Sequence, residues 1–333
     1  MKGLRKVLTP FAPDQSGAVG VLYEFGALIV VIDAGGCTGN ICGFDEPRWQ
    51  VSSSAVFSAG LRDMDAILGR DELLVKKIAK AHEAIDVKFT ALVGTPVPAV
   101  IATDYDALSY MIEKKTGKPV VAVRTDGMHL YDEGASDAYI KLIETFAKEK
   151  HELDEKAVGI FGALPLDMGR TDREKIRSYY LDQGYTTVRM YGTGAGIEDV
   201  EKVSSNALNV AVSSCGIDAV TRLNDLFGTP FAITDPSKYG LTFDSGRTLV
   251  VHDEVCCKTV KERSEGTVET ATFFATHNDD IKLTEEDEFT ELVMNGNWDN
   301  LVCDASLLPL IPEYKGNFIS LPHFAVSSTG DES

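Results

Sequence analysis

The feature that most constrains this chain is the alternation of short apolar runs with amphipathic segments. Residues 25–36 read FGALIVVIDAGG, a continuous apolar run ending in glycines, which is typical of a strand buried on both faces. Apolar residues with helical spacing follow from Phe57 to Ala81, and VKFTALVGTPVP and KPVVAVRTDG then predict two further strands. Short strands alternating with helices favour right-handed crossovers and parallel sheets.

The same order of elements restarts twice within the 333 residues. AVGIFGALP begins a second round, whose first helix has Thr171 and Glu174 at the spacing of a capping box, and RTLVVHD begins a third. We therefore predict an α/β fold of three Rossmann-like domains with parallel sheets, over residues 1–150, 151–243 and 244–333. Ligands of such sheets bind at the carboxyl ends of the strands.

Charge and hydropathy exclude several classes of partner. The chain has 51 acidic against 32 basic residues, a net charge of −19, so nucleic acid and anionic membranes would be repelled. No apolar run approaches the ~18 residues of a membrane span, and the N-terminus lacks a signal-peptide apolar segment. Six sparse, irregularly spaced cysteines do not suggest a disulfide framework. We predict a cytoplasmic protein.

Two cysteines lie directly after the first predicted strand, in GGCTGNICGFDEPRW. Thiolates are the preferred ligands of iron–sulfur clusters, and the spacing of Cys37 and Cys42 lets both reach one cluster if the loop curls. Two cysteines supply half the ligands of a [4Fe-4S] cluster, and packed free thiols remain the alternative. For Cys215, Cys256, Cys257 and Cys303, core packing is the favoured interpretation.

Several common site motifs are absent from the sequence. YGTGAGIED follows a predicted strand, but the third glycine of a dinucleotide fingerprint would fall on Ile197. The chain has neither a phosphate-binding P-loop motif nor the paired histidines of a zinc hydrolase. A glycine-rich turn is therefore the favoured interpretation of residues 192–196.

The order of the segments resembles a known family. TPFAPDQSGAV, IDAGGCTGNICGFDEPRW, LVGTPVPAVIATD and KPVVAVRTDG follow one another as in nitrogenase component 1 and nitrogenase-like oxidoreductases. GTGAGIEDVEKVSSNALNVAVSS, VETATFFATHNDD and FISLPHFAVSS fit the same family further along the chain. The resemblance covers nearly the whole chain, and GGC is its most specific point.

This resemblance implies a nitrogenase component 1 fold, that of the molybdenum–iron protein, in a homodimer or in a heterodimer with a paralogous subunit. It also implies an iron–sulfur cluster at the subunit interface and a separate ATP-dependent iron–sulfur reductase as electron donor. Cys37 matches the family's cluster cysteine in the glycine-led loop. Asp14 is the nearest possible ligand where the N-terminal cysteine is expected, and the third cysteine position falls on Pro96 or Val97.

The same resemblance implies chemistry simpler than nitrogen fixation. Ser213 stands where the catalytic nitrogenase subunit has its cofactor cysteine, Cys215 comes two places later, and the histidine anchor would lie beyond Ser333. We therefore expect no reduction of dinitrogen on a molybdenum cofactor, and no eight-iron cluster, because too few cysteines are present. Two copies of the Cys37 loop would supply four thiolates, enough for one shared [4Fe-4S] cluster.

Three functions follow as hypotheses. The first is an oxidoreductase subunit that passes electrons through the interface cluster to an unidentified ligand in the cleft between domains. The second is a non-catalytic scaffold or carrier for a metallocluster or a tetrapyrrole, and the third is a redox-silent partner of a paralogous subunit. No catalytic acid–base pair can be named. The candidate residues of the cleft are Gly192, Gly194, Gly196, Ser213, Ser214, Cys215 and His277.

Overall fold

The computed structural model describes residues 5–8, 11–52, 54–69, 71–322 and 325–327. Within these residues the chain forms three entirely parallel sheets of 4, 4 and 5 strands, which confirms the predicted α/β fold. No helix in the described ranges has the length and apolar character needed to cross a bilayer. The domain limits at 150 and 243 remain a prediction.

The first sheet has the strand order β2-β1-β3-β4. Its strand β1 is buried along its whole length, as the continuous apolar run predicts. The elements of this part of the chain are α1 Asp14–Leu22, β1 Ala27–Val31, α2 Gly36–Asn40, β2 Ala55–Ser58, α3 Asp63–Leu68, α4 Asp71–Ala84, β3 Phe89–Val93, α5 Pro96–Val100, α6 Tyr105–Thr116, β4 Val120–Val123 and α7 Tyr131–Phe146.

The second sheet repeats this order as β6-β5-β7-β8. Its elements are β5 Asp154–Phe161, α8 Arg170–Asp182, β6 Thr187–Met190, α9 Ile197–Glu201, β7 Asn206–Ala211, α10 Ile217–Phe227 and β8 Phe231–Ile233.

The third sheet has the order β11-β10-β9-β12-β13. Its elements are β9 Arg247–Val251, α11 Glu254–Arg263, β10 Thr267–Thr272, β11 Ile281–Lys282, α12 Glu286–Asn295, β12 Asn300–Cys303 and β13 Asn317–Ser320.

The strand orders place a switch point in each sheet, where the chain changes its direction of winding. These points lie between β1 and β3, between β5 and β7, and between β9 and β12. A crevice opens at the carboxyl ends of the two strands that flank a switch point, and ligands bind there. Cys37 follows β1, Ser213 follows β7, and Asp253 follows β9.

Helices α1 and α7 pack against each other in the middle of the molecule. All nine residues of α1 are buried, and a Cβ atom on Gly17 would lie 1.9 Å from the backbone oxygen of Tyr131. A Cβ on Gly134 would lie 1.9 Å from the backbone oxygen of Asp14, so each helix needs a glycine at the crossing. The main hydrophobic core draws residues from all three sheets around this helix pair.

Two local predictions were wrong. Phe57 lies in edge strand β2 rather than in the helix that follows, because strand pairing to β1 overrides a helical pattern whose first turn is broken near Gly60. Thr171 and Glu174 form no capping box, because α8 begins at Arg170 with Gly169 at its N-cap position. Helix boundaries are decided by local backbone turns that spacing alone does not specify.

Candidate functional site

The segment that carries the two candidate ligands folds as one short helical loop after β1. Gly35 has a positive φ of 111°, which lets the chain turn sharply into α2, Gly36–Asn40. A π-helical turn, Ile41–Asp45, continues this helix. Cys37 and Cys42 are each the second residue of one of these two segments, and both thiols are half-buried. We call residues 36–50 the cluster loop.

Asp33, two residues before Gly35, fixes the start of this loop. Its Oδ2 accepts hydrogen bonds from the backbone N–H and the hydroxyl of Thr38, at 2.8 and 3.0 Å. Its Oδ1 accepts a hydrogen bond from the hydroxyl of Ser58, on the neighbouring strand. The Asp33 carboxylate therefore links Thr38, the residue after Cys37, to Ser58 at the end of β2.

The middle of the cluster loop is fixed by Asp45, which is buried. Its carboxylate accepts hydrogen bonds from the Ser16 hydroxyl and the Asn40 side-chain amide, both at 2.8 Å, and from the Ser327 hydroxyl. Ser16 lies in α1 and Ser327 near the end of the described chain. Two segments outside the cluster loop, and Asn40 within it, thus hold the turn that follows Cys42.

Arg48 fixes the end of the cluster loop and has only 2% of its surface exposed. Its guanidinium makes two 2.7 Å bonds to Glu46 and a 3.0 Å bond to Glu24. It also donates to the backbone oxygens of Gly20 and Gly192, both at 2.6 Å. Because Gly192 follows β6, this one side chain ties the cluster loop to both α1 and the second sheet.

The thiols themselves lie in an acidic environment. Burial raises the pKa of Cys37, with a further contribution from Asp33, while the Thr95 side chain lowers it. Burial, Glu46 and Asp33 raise the pKa of Cys42 to about 11. Both thiols are therefore protonated at neutral pH in the metal-free chain, and a bound metal would have to displace their protons.

The outer face of the cluster loop is open. Cβ atoms built on Gly36, Gly39 and Gly43 meet no atom within 4 Å, so a bulky group can approach the backbone at all three positions. The two half-buried thiols of this loop are donors of the type that iron–sulfur clusters take.

The neighbouring loops at this edge of the first sheet expose apolar side chains. Phe44 in the cluster loop is 57% exposed, Val100 at the end of α5 is 85% exposed, and Met128 after β4 is 81% exposed. Their loops meet, because the Cys37 thiol reaches the Thr95 side chain and Pro96 packs against the turn at Gly127. Exposed apolar groups around one edge are typical of a surface that another protein chain covers.

Ser213, Ser214 and Cys215 are brought together with three buried carboxyl groups at the junction of the three sheets. The Ser213 hydroxyl lies 3.3 Å from both Asp167 Oδ2 and Cys215 Sγ. Ser214 donates its backbone N–H to Asp253 at 2.9 Å and its hydroxyl to Asp132 at 3.3 Å. We call Asp132, Asp167, Asp253 and residues 213–215 the junction.

The carboxyls of the junction are weaker acids than exposed carboxyls. Burial raises the pKa of Asp132 to about 6 and that of Asp253 to about 7, and it raises that of Asp167 as well. Oδ1 of Asp132 and Oδ1 of Asp167 have no hydrogen-bond partner within the described ranges. Cys215 is 1% exposed and its Sγ lies 3.5 Å from Asp167 Oδ2, so the thiol contacts the chain's own residues.

His277 lies at the rim of the junction. Its Nδ1 is 2.9 Å from Glu254 Oε1, and its backbone N–H donates to Oε2 of the same buried carboxylate at 2.7 Å. Its Nε2 lies 3.7 Å from Asp218 in α10, so the ring stands between α10 and α11. The hydrogen bond to Glu254 raises the pKa of His277.

The predicted glycine turn contacts Glu24 and Arg48. Gly192 and Gly194 have φ values of 95° and 91°, and Gly194 donates its N–H to Glu24 at 2.7 Å. Gly196 is the N-cap residue of α9. The hydrogen bonds that Gly192 and Gly194 make therefore lead to Arg48 and Glu24, not to Ser213–Cys215.

A model of the nitrogenase component 1 type oxidoreductase family matches residues 17–242 of the sequence. The chain belongs to this family. Its fold is similar to that of nitrogenase Cp1 at pH 6.5, with a TM-score of 0.72 and 12% identity over 97% of this chain and 87% of the other. Nitrogenase Cp1 at pH 5 gives a TM-score of 0.66 and 14% identity over 97% and 85%. Comparison with curated protein sequences gives no match.

The match to the nitrogenase component 1 type family includes the cluster loop and residues 213–215, and the structural likeness extends through the third sheet. Sequence reasoning missed Asp33, Arg48 and the three junction carboxyls. Asp33 and Asp253 could have been noticed, because each is an acidic residue that follows an apolar strand, in VVID and VVHD. Arg48 gave no local signal, since its partner Gly192 lies 144 residues away.

We expect Asp132→Asn to stabilise the protein at pH 8 and to leave its stability unchanged at pH 4. The folded-state pKa is about 6 against 3.8 for an ordinary aspartate, so the folded chain binds a proton that the unfolded chain releases. Wild-type stability then falls as the pH rises from about 4 to about 6, by up to ~3 kcal/mol. The amide oxygen can still accept from Ala275 and Ser214.

Urea unfolding of both proteins at pH 4 and pH 8 measures this difference. Glu133 and Lys282 face the same carboxyl with opposite signs, so Glu133→Gln serves as the control for a change of local charge alone. Equal stabilities of Asp132→Asn and wild type at pH 8 would contradict the assignment of a raised pKa.

Proposed function

We propose that this nitrogenase component 1 type chain is an oxidoreductase subunit that shares one [4Fe-4S] cluster with a second subunit across the cluster loop. One observation carries the proposal. Cys37 and Cys42 are half-buried on the cluster loop, whose outer face is open and bordered by exposed apolar side chains. Hydrogen bonds and ion pairs of Asp33, Asp45 and Arg48 fix the backbone of this loop.

Cys37 and Cys42 would provide two ligands from each of two copies, in a homodimer or with a paralogous subunit that supplies the other thiolates. When bound, such a cluster takes up and gives up single electrons. The loop contributes a fixed backbone, apolar side chains that exclude water, and two thiols whose protons leave on binding. Asp14 is left out of this set, because the usual ligands of an iron–sulfur cluster are thiolates and Asp14 offers a carboxylate. That carboxylate accepts hydrogen bonds from the backbone amides of Gln15, Asp126 and Gly127, each at 2.8 Å.

The electrons would come from an ATP-dependent iron–sulfur reductase in the cytoplasm, and the net charge of −19 supports docking of a basic face of that donor. The acceptor would be a ligand bound near Ser213, Ser214, Cys215 and His277. His277 is the exposed member of this set and can donate a hydrogen bond to such a ligand, while Ser213, Ser214 and Cys215 are buried and bonded within the chain. The hydrogen bond to Glu254 raises the pKa of His277, which favours its protonated form. We do not expect this chain to reduce dinitrogen.

A non-catalytic role as scaffold, carrier or partner of a paralogous subunit is the second candidate. The burial of Cys215 favours it, because the thiol nearest the family's cofactor position contacts Ser213 and Asp167 instead of facing open space. In this role the chain would hold the shared cluster, and reduction would take place on the partner.

We expect Phe44→Asp to weaken the cluster-linked dimer at least tenfold, because a charge would be buried where an apolar side chain is covered. Leu153→Asp is the matched control, since Leu153 is 56% exposed and precedes β5, at the opposite end of its strand from the junction. Light scattering of anaerobically reconstituted protein measures the dimer. Equal weakening by both changes, or by neither, would count against an interface at the cluster loop.

A further inference from the structure

We propose that Asp14, Asp126 and His129, with the side-chain amide of Gln15, form a binding site for a divalent transition-metal cation, separate from the thiolate cluster. One ligand atom from each of Asp14, Asp126 and His129 lies within 4.8 Å of the other two. They come from two segments, the first turn of α1 and the turn that follows β4. We call this set the Asp14 site.

The spacing is close to what one metal ion requires. Nitrogen and oxygen ligands at 2.0–2.2 Å from a metal lie at most about 4.4 Å apart, and the ligand atoms here lie within 4.8 Å of one another. His129 Nδ1 and Asp126 Oδ1 are hydrogen-bonded at 2.9 Å, and a metal would replace this contact. His129 is exposed and can move, while Asp14 is buried and held by the turn. The Asp14 carboxylate accepts three N–H bonds, and its remaining lone-pair direction meets the Asp126 side chain, so a metal would take the place of that contact between two carboxyls.

Gln15 provides an independent observation. Its side chain is 6% exposed, and within the described ranges its Oε1 has no hydrogen-bond partner. This oxygen lies 2.9 Å from where a Cβ atom on Gly127 would sit, over the turn whose amides Asp14 binds. A buried amide oxygen without a partner is costly, and a cation at this turn would satisfy it.

The charges around the site also favour a cation. Asp126 acts on the pKa of Asp14 as a like charge, in addition to burial, and both carboxyls together with Glu133 raise the pKa of His129. Two carboxylates, an imidazole and an amide oxygen suit Mn²⁺, Fe²⁺ or Zn²⁺. They do not suit an iron–sulfur cluster, whose usual ligands are thiolates. The site therefore does not depend on the proposed function of Cys37 and Cys42.

The test is a Mn²⁺ titration followed by EPR of the free ion, on full-length Cys37→Ala/Cys42→Ala protein stripped with EDTA. We expect one saturable Mn²⁺ per chain, with affinity at least tenfold weaker after either His129→Ala or Asp126→Asn. Asp86→Asn, at a fully exposed carboxylate, should leave the affinity unchanged. His129 is exposed, so its removal should not affect folding, and circular dichroism of each variant checks this.

Absence of saturable binding, or equal affinity in the His129→Ala protein and its parent, would overturn the Asp14 site. The cluster proposal is tested by a separate measurement, the iron and sulfide content of chains that keep both thiols. Iron lost in Cys37→Ala but Mn²⁺ retained would support both proposals, and Mn²⁺ lost only in His129→Ala would support the Asp14 site alone.

Discussion

Cys37→Ala is expected to abolish cluster binding, with iron falling from about four atoms per two chains to background. The change removes two of four thiolates from the shared site, because each copy of the loop loses one. Asp33, the next donor near Cys37, already accepts hydrogen bonds from Thr38 and Ser58 and cannot replace the thiolate without releasing them. Iron and sulfide analysis after anaerobic reconstitution measures the loss.

Cys303→Ala is the matched control for this change. Cys303 is fully buried in β12. Cys303→Ala therefore makes the same replacement of a thiol by a methyl group, at a position outside the cluster loop. It should keep full iron content. Cys42→Ala tests the second ligand, and retention of the cluster in that protein would mean that Cys42 is only packed. Iron retained in Cys37→Ala would contradict the proposed ligand set as a whole.

Arg48→Met is expected to destabilise the protein by about 3–5 kcal/mol, because it leaves buried acidic groups without their cation. Glu46 loses both 2.7 Å bonds, and the backbone oxygens of Gly20 and Gly192 lose their donor. Methionine keeps much of the volume against Tyr23, so the loss reflects charge and hydrogen bonding more than a cavity. Denaturant unfolding gives the magnitude.

Arg124→Met is the control, since the ion pair of Arg124 with Asp106 is exposed on both sides. Exposed pairs contribute under about 1 kcal/mol because water and salt screen them. If the two changes cost the same, Arg48 does not hold the cluster loop in the way its contacts indicate. We also expect Arg48→Met to lower iron content, because the loop would no longer be fixed to α1 and Gly192.

The sequence was sufficient to predict the three parallel sheets, because FGALIVVIDAGG, AVGIFGALP and RTLVVHD each carry the apolar run of a buried strand. The position of Cys37 at the end of β1 followed from the same pattern. Phe57 was misassigned because an edge strand with half-exposed residues carries a weak pattern that helical spacing can imitate.

The junction and the Arg48 contacts could not be predicted, since they depend on how the three sheets pack. Asp132, Asp167 and Asp253 are separated by 35 and 86 positions in the sequence, and no local rule brings them to one place. The glycines of residues 192–196 show the converse. Their pattern predicted a glycine-rich turn at a strand end, and the structure shows Arg48 bound to the backbone oxygen of Gly192 and Glu24 bound to the N–H of Gly194.

The sharing of one [4Fe-4S] cluster by two cluster loops can be measured on protein purified anaerobically with any subunit that accompanies it. Iron and sulfide analysis, Mössbauer spectroscopy and molecular mass together give the result. We expect a dimer with about four irons and four sulfides per two chains, and the Mössbauer signature of one cubane cluster. Iron-free protein under these conditions, or a full cluster in a monomer, would rule out the shared cluster.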